Sequence, residues 1–341
     1  MSAGKRRAAV VGVGLLGEQH AEHYKRNPST HLALVQDIDP DRARAAGERF
    51  DVPWTTSLED LASSDVELVS IATPDHLHFE AAAMLLEAGK HLLIEKPLTT
   101  SAEEANELVR LARLHDRKVG VALGQRWNPN LLAIRDALVA GEIGDPIYAY
   151  CRCSNTRWIP EQALSWASRS GPQWFLFAHT MDFMRWMLAS EARSVYAAGS
   201  KGILAGKGID CFDAIQAVVQ FDTTFVTFES SWILPESWPG IVEFEIVLNG
   251  AQGRIGFDGV RTGFELSSDL AAKHMFSRPN LWTNQRRPGW WWGPLHDLVD
   301  AIDKDRAPMA SIEDGAAVVE MICAVEQSIA EGRRIDLGTP G

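Results

Sequence analysis

The sequence is short of positive charge: 33 lysines and arginines face 45 aspartates and glutamates, giving a net charge of −12. An acidic surface repels nucleic acid and anionic membranes, so neither is expected as a partner. The short basic run Lys5-Arg6-Arg7 reads as a solvated terminus ahead of a strand. Cysteine is also scarce, with four in the chain. Cys151 and Cys153 are two apart in a strand-like stretch, which puts both on one face. Zinc sites need C-x-x-C spacing and four ligands, so no metal is expected, and the thiols read as reduced in a cytoplasmic protein. No signal-peptide pattern is read, and the apolar run Ala8 to Val13 is too short and glycine-broken for a membrane span. Internal repeats, low-complexity tracts and long flexible linkers are likewise not seen. What is present suits a soluble globular protein: 46% hydrophobic and 23% charged residues. At 341 residues the chain exceeds what one core usually supports, so two domains are expected.

Ala8 to Val13 has the nearly continuous apolar pattern of a strand buried on both faces of a parallel sheet. It runs into Gly12-Val13-Gly14-Leu15-Leu16-Gly17, a full G-x-G-x-x-G, and then a helical stretch from Glu18 to Arg26. In such a loop the first glycine permits a tight turn and the second lets the backbone approach a pyrophosphate. The third lets helix and strand pack closely. Free N–H groups at the helix start favour the diphosphate. A second strand, His31 to Gln36, ends at Asp37, where a carboxylate accepts from ribose hydroxyls and repels a 2′-phosphate. NAD is therefore expected over NADP. Asp37 also opens the turn Asp37-Ile38-Asp39-Pro40, a purely structural alternative, and Arg42 and Arg44 are near enough to soften the preference. Strands at Val66 to Ala72, His91 to Ile94 and Lys118 to Ala122 alternate with helices. One helix runs from His76 to Ala88 and stops at Gly89. The other runs from Ala102 to Arg113, with Ser101 and Glu104 as its cap. This is an α/β pattern, a Rossmann-type doubly wound parallel sheet over residues 1–124. Lys96 falls at the carboxyl end of a strand, where ligands bind in open α/β sheets. It either meets a substrate oxygen or is a surface lysine paired with Glu95.

Beyond these patterns, several segments resemble the Gfo/Idh/MocA oxidoreductase family. Ile71-Ala72-Thr73-Pro74 with His78 is similar to the family's I-A-T-P-x-x-x-H stretch. Ala88-Gly89-Lys90-His91 with Glu95-Lys96-Pro97 is similar to its A-G-K-H…E-K-P motif. Val121 through Pro129, with Arg126, resembles its crossover into the substrate domain, and Gly141-Glu142-Ile143-Gly144 its G-x-I-G turn. The resemblance covers nearly the whole chain. It implies that Lys96 is a catalytic-site lysine and that the Lys96–Pro97 peptide is cis. It also implies cofactor contacts from Gly12, Gly14, Leu15, Leu16, Gly17, Asp37, Ala72, Thr73, Pro74, His78, Glu95, Lys96 and Arg126.

Residues 125–341 read as an α+β domain for substrate binding and oligomerisation. Strands at Ile147 to Cys153, Val195 to Ala198, Ala214 to Phe221, Thr224 to Trp232 and Val242 to Leu248 suggest a large, mainly antiparallel open sheet. Helices are expected from Pro172 to Leu188, Pro294 to Asp305 and Ile312 to Glu331. The first carries His179 and Asp182 on one face. The resembled family has G-G-x-x-x-D-x-G-x-H here, and Gly171, Pro172 and His179 keep that spacing. Phe175 stands at its Asp position and Phe177 at its later Gly. The Lys–Asp–His cluster of the family has lost its carboxylate. Histidine still suits proton removal from an alcohol, so Lys96 and His179 are the catalytic candidates; a packed helix histidine is the alternative. Asp182 either orients His179 or makes a helix-surface ion pair.

Tryptophan is abundant, at 12 residues. Trp158, Trp166, Trp174, Trp186, Trp232, Trp238, Trp282 and Trp290 to Trp292 gather in the second domain. Trp186 reads as core and Trp232 as sheet packing. The Trp290–Trp292 loop either lines the substrate pocket or packs on another subunit. Arg126, Arg152, Arg157 and Arg169 either bind an anionic substituent or pair with the chain's excess acids. The substrate-binding candidates are Lys96, Arg126, Arg152, Trp166, His179 and Asp182. The leading expectation is an NAD-dependent dehydrogenase of a sugar, glycoside or cyclitol hydroxyl, forming a homodimer or homotetramer. Two alternatives stand: an NAD-dependent glycosidase with Tyr148, Tyr150 or His179 as the extra acid/base, and a non-catalytic NAD-binding sensor.

Overall fold

In the computed structural model, residues 5–260, 264–268, 272–275 and 289–338 are described. The chain forms two compact units. The first comprises Met1–Leu123 with Trp292–Val319, and the second Gly124–Trp291 with Glu320–Gly341.

The first unit is built on six parallel strands: β1 (Arg6–Val11), β2 (Thr30–Gln36), β3 (Trp54–Thr55), β4 (Leu68–Ile71), β5 (His91–Ile94) and β6 (Val119–Val121). Their order is β3-β2-β1-β4-β5-β6, the doubly wound order in which a crevice opens between β1 and β4 at the carboxyl ends. Both faces are covered by helices, which is why β1 and β4 are apolar without alternation. Helices α1 (Leu15–Arg26), α2 (Pro40–Phe50), α3 (Leu58–Ser63), α4 (His78–Glu87) and α5 (Ala102–Leu114) make the crossovers. Asp39 caps α2 by accepting from Asp41 N–H at 3.0 Å, and Ser101 caps α5 by accepting from Glu104 N–H at 3.3 Å. The two-residue β3 was not among the expected strands; its brevity leaves no periodic signal.

The second unit carries a nine-stranded sheet. Its strands are β7 (Pro146–Asn155), β8 (Ala192–Ser200), β9 (Ala214–Phe221), β10 (Phe225–Ser231), β11 (Val242–Gly250), β12 (Gly253–Asp258), β13 (Phe264–Ser268), β14 (Ala272–Met275) and β15 (Ile335–Asp336). The order is β14-β13-β12-β11-β7-β10-β9-β8-β15. Only the β7–β10 pair is parallel; the other pairings are antiparallel. Alternation is clear along β9, where Ile215, Ala217, Val219 and Phe221 are buried and Gln216, Val218 and Gln220 exposed. Helix α6 (Pro129–Val139) opens the unit, and α7 (Ala178–Leu188) packs on the inner face. The helix expected from Pro172 is in fact a π-type turn, Gln173–Phe177, leading into α7. Glu326 accepts from the Gln173 amide at 2.8 Å and the Trp174 indole at 2.9 Å, which fixes that turn. Phe177 meets Phe228 edge-on, and Phe183 meets Phe244.

Two C-terminal helices follow, α8 (Gly293–Asp303) and α9 (Ile312–Glu331). Residues past 124 were all expected in the second domain, but the first compact unit also takes in Trp292–Val319. The reason is apolar: Leu295, Leu298 and Val299 of α8 join the core that holds Val10, Leu68 and Leu93. The same segment covers the edge of β6, where Val121 N–H donates to Ala310 O at 3.0 Å.

Candidate functional site

The glycine loop follows β1 with Gly12 at φ +79°. A Cβ on Gly17 would stand 1.8 Å from the Gly12 carbonyl oxygen, so only glycine lets α1 lie this close to the loop. Around Gly14 the situation is opposite: an added Cβ would meet nothing within 4 Å. Gly14 is also the N-cap of α1 and provides no side-chain cap, leaving the first amides for an outside acceptor. Leu15 is exposed and Leu16 half-buried beside them. Across the crevice, Ala72 and Thr73 come within 3.0 Å of where a Gly12 Cβ would be, and Ala72, Thr73 and Pro74 are half-buried. Asp37 opens the turn after β2, as its structural alternative has it, and also reaches the glycine loop. Its Oδ2 accepts from Val13 N–H at 2.9 Å, and its Oδ1 from Asp39 N–H at 3.0 Å. One carboxylate thereby ties the glycine loop to the turn after β2. Arg42 pairs with Asp39 and Arg44 with Asp41, so both guanidinium groups answer acids of their own helix. The open ground at Gly14, the uncapped amides and the carboxylate at the strand end fit a dinucleotide.

At the end of β5, the Lys96–Pro97 peptide is cis. Lys96 is buried, unlike the surface lysine of the alternative reading, and Glu95 is buried with it. Glu95 Oε1 lies 3.0 Å from Nε2 of His20, a residue of α1 that was not among the sequence candidates. His78 Nδ1 is 2.8 Å from the Pro97 carbonyl, and its Nε2 is 3.0 Å from the Thr73 carbonyl. Both ring nitrogens thus face main-chain oxygens, which assigns the ring to bracing the Thr73 and Pro97 turns; it was expected at the cofactor. The signal for His20 was available: His20 and Tyr24 are polar residues on the buried stripe of an otherwise ordinary amphipathic helix.

In the second unit His179 is the second residue of α7, 9% exposed, with its ring edge-on to Trp291 at 5.6 Å. Trp290 packs against Trp291 at 5.3 Å. Trp292 belongs to the first unit, where it stacks on His23 at 3.7 Å. Trp282 and the rest of that loop to residue 288 lie outside the described residues. Phe175 is half-buried and meets Trp232 edge-on at 5.7 Å, so the position that lost its carboxylate joins an aromatic cluster. Asp182 is not on the helix surface. It is fully buried and forked by Arg126, with Nε–Oδ2 at 3.0 Å and Nη2–Oδ1 at 2.6 Å. Arg126 was expected at cofactor and substrate, and Asp182 at substrate; the structure brings them to each other. Trp186, expected as core, is half-buried with Arg135 over its ring at 4.3 Å. Arg152 lies on the sheet face within 3.0 Å of Glu229 and Glu243, the acid-pairing alternative. Trp166 is half-buried just ahead of the short turn Ala167–Arg169.

The glycine loop, its uncapped amides and the carboxylate at the end of β2 make the first unit a dinucleotide-binding domain. Residues 6–123 match the model of the oxidoreductase family with an NAD-binding Rossmann fold, and residues 131–256 match the GFO/IDH/MocA C-terminal domain. The chain belongs to the Gfo/Idh/MocA family, and its cofactor is NAD. Inositol 2-dehydrogenase of Rhizobium meliloti (strain 1021) is 24% identical over 97% of this chain and 99% of that protein. Inositol 2-dehydrogenase 1 of Saccharopolyspora erythraea is 32% identical over 54% of this chain and 55% of its own length. A solved structure of levoglucosan dehydrogenase, in complex with NADH and L-sorbose, superimposes with a TM-score of 0.86 at 21% identity. That match covers 99% of this chain and all of the other, and shares its fold.

Proposed function

We propose that the protein oxidises a ring hydroxyl of a neutral sugar, glycoside or cyclitol with NAD. The observation that carries this reading is His179, a buried imidazole held edge-on to the Trp291 indole. An indole suits the C–H face of a sugar ring and keeps water from the base. Bound NAD supplies the hydride acceptor. His179 is the candidate to take the hydroxyl proton, and the Lys96 ammonium the candidate to steady negative charge on a substrate oxygen. Phe175 brings no carboxylate to the family's Asp position, and Asp182 is forked by Arg126. Names of relatives, inositol 2-dehydrogenase and levoglucosan dehydrogenase, support the substrate class. A neutral substrate is favoured because Arg126 and Arg152 already answer carboxylates. Asp37 and the paired Arg42 and Arg44 favour NAD over NADP.

The elimination route of a glycosidase needs a further acid/base. The Tyr150 hydroxyl donates to Glu229 at 2.9 Å and accepts from Arg152 at 2.8 Å. Burial and the neighbouring Glu229 push its phenol up, so it stays protonated and is not available as a base at neutral pH. Tyr148 is exposed and stacks on Phe225. Simple oxidation is therefore preferred. The proposal includes a cytoplasmic homodimer or homotetramer joined through the open sheet face, where Tyr148, Tyr196, Val218 and Phe225 are exposed. The test is a single assay on sugars, cyclitols and aryl glycosides that follows NADH absorbance and aglycone release together. NADH accumulation without aglycone release is expected; NAD-dependent release with no net NADH would replace the dehydrogenase by a glycosidase.

A further inference from the structure

The first unit contains a chain of buried polar groups that the proposed chemistry does not use. Tyr24 and His20 lie one turn apart on α1. The Tyr24 hydroxyl is 2.7 Å from Ser70 Oγ, and Ser70 Oγ is 3.0 Å from His20 Nδ1. His20 Nε2 is 3.0 Å from Glu95 Oε1. None of the four residues is more than 4% exposed. With Glu95 ionised, the carboxylate only accepts, so His20 donates from Nε2. A neutral ring then accepts at Nδ1 from Ser70 O–H, whose oxygen accepts from Tyr24 O–H. Burial raises the Tyr24 phenol and keeps that proton in place. Each proton is used once, and the donors run in one direction from Tyr24 to Glu95.

Apolar side chains would dock α1 on the sheet without the cost of burying a carboxylate. The arrangement gains something else. Helix α1 starts at the glycine loop, Ser70 is the last residue but one of β4 before Ala72-Thr73-Pro74, and Glu95 immediately precedes Lys96. The chain therefore links the three segments expected to meet cofactor and substrate. His78 braces the Thr73 and Pro97 turns from the other side. The Trp292 indole closes over His20 edge-on at 5.5 Å. We propose that His20 is a positioning residue, whose bond to Glu95 fixes how Lys96 is presented from the end of β5. This rests on the reading of Lys96 as catalytic.

The test uses the NADH-loaded enzyme and the variants His20→Leu, His20→Gln and Glu95→Gln. Loss of the outer partner that orients a metal ligand typically costs about 10- to 100-fold, and a loss of that order is expected in kcat for His20→Leu. KM and NADH affinity should change little, and the deuterium isotope effect on the transferred hydrogen should rise. His20→Gln keeps a donor toward Glu95 and should recover much of kcat. If His20 is merely structural, melting temperature falls while kcat per NADH-titrated site and the isotope effect stay at wild-type values, which overturns the proposal. A second readout needs no substrate: the acetylation rate of Lys96, followed by mass spectrometry, should rise several-fold in His20→Leu and Glu95→Gln. An unchanged rate in both overturns the proposal. Should the wild type oxidise nothing while Lys96 acetylation responds, the functional reading fails and the positioning role stands. Should Lys96→Ala be inactive while His20→Leu is normal in both readouts, the reverse holds. If His20→Leu does not fold, the other two variants carry the test.

Discussion

The two units bury charge in opposite ways. In the first, Glu95, His20, Ser70 and Tyr24 form an open-ended chain that stops beside Lys96 at a strand end. In the second, Arg126 and Asp182 close on each other in a fork that is sealed from solvent. Both sets include residues whose positions in the sequence suggested ligand contact. The difference is that backbone fixes the first set, through a strand end and a glycine loop, whereas the second is fixed by which side chain on a neighbouring element answers it.

The largest effect expected is at the catalytic candidates. Removing a positioned acid/base group typically costs about 10²–10⁴-fold in rate, and Lys96→Met and His179→Phe should each lose kcat on that scale with NADH binding retained. Steady-state kinetics together with NADH fluorescence titration measure both. Activity surviving in either variant would remove that residue from the mechanism and leave the other unit with the chemistry.

Next comes the fork. Breaking one side of a buried ion pair leaves an uncompensated charge and costs about 3–5 kcal/mol, so Arg126→Met or Asp182→Leu alone should destabilise the protein by that amount. The double variant should regain most of the loss, since apolar pairs often replace buried ion pairs at little cost. Urea denaturation of the four proteins reads this directly. If the single variants keep their stability but lose kcat, the fork touches substrate and the contrast between the units collapses.

This contrast also explains what the sequence made legible. The glycine loop and the turn at Asp37 are set by backbone conformation and spacing, so they were readable, as was the strand–helix alternation that fixes the first sheet. The length of α9, Ile312–Glu331, was read correctly because apolar periodicity spans it. The partners of Arg126, Arg152 and His78 were not readable, because each is a long-range choice among several acids or carbonyls that spacing does not rank. The assignment of Trp292–Val319 to the first unit was hidden for the same reason: the apolar face of α8 does not say which sheet it covers.

The glycine loop sharpens the comparison within one motif. Gly17→Ala forces a Cβ against the Gly12 carbonyl oxygen. Overpacking typically costs about 1–3 kcal/mol, so this variant should lose both stability and NAD affinity. Gly14→Ala places its Cβ in open space. Surface changes usually stay within about 0.5 kcal/mol, so its melting temperature should hold while NAD affinity falls, because the methyl occupies the approach of the diphosphate. Equal loss of stability in both would mean that Gly14 serves packing and not the cofactor.

The smallest effect separates the units by pH. Burial, then the charges of His296, His20 and Arg26, lowers His23 from 6.5 to about 3. Burial, then Arg117, Arg6 and Lys118, lowers His91 from 6.5 to about 4. His91 accepts at Nδ1 from Lys118 N–H at 2.9 Å, a bond that requires an unprotonated nitrogen. Both rings are neutral in the folded first unit, whereas the unfolded chain binds protons on them below pH 6.5. The unfolded state therefore holds more protons in this window, and stability falls as pH drops from 6.5 toward 4 for His91 and toward 3 for His23. At neutral pH and above the stabilisation is intact. His23→Gln and His91→Gln should each flatten the dependence of melting temperature on pH between 6.5 and 4. Hydrogen exchange should locate the acid sensitivity removed by these variants in β1 and β5 and not in β7 and β10. An unchanged slope in both variants would mean that the acid sensitivity arises from carboxylates present in each unit, and on this property the units would no longer differ.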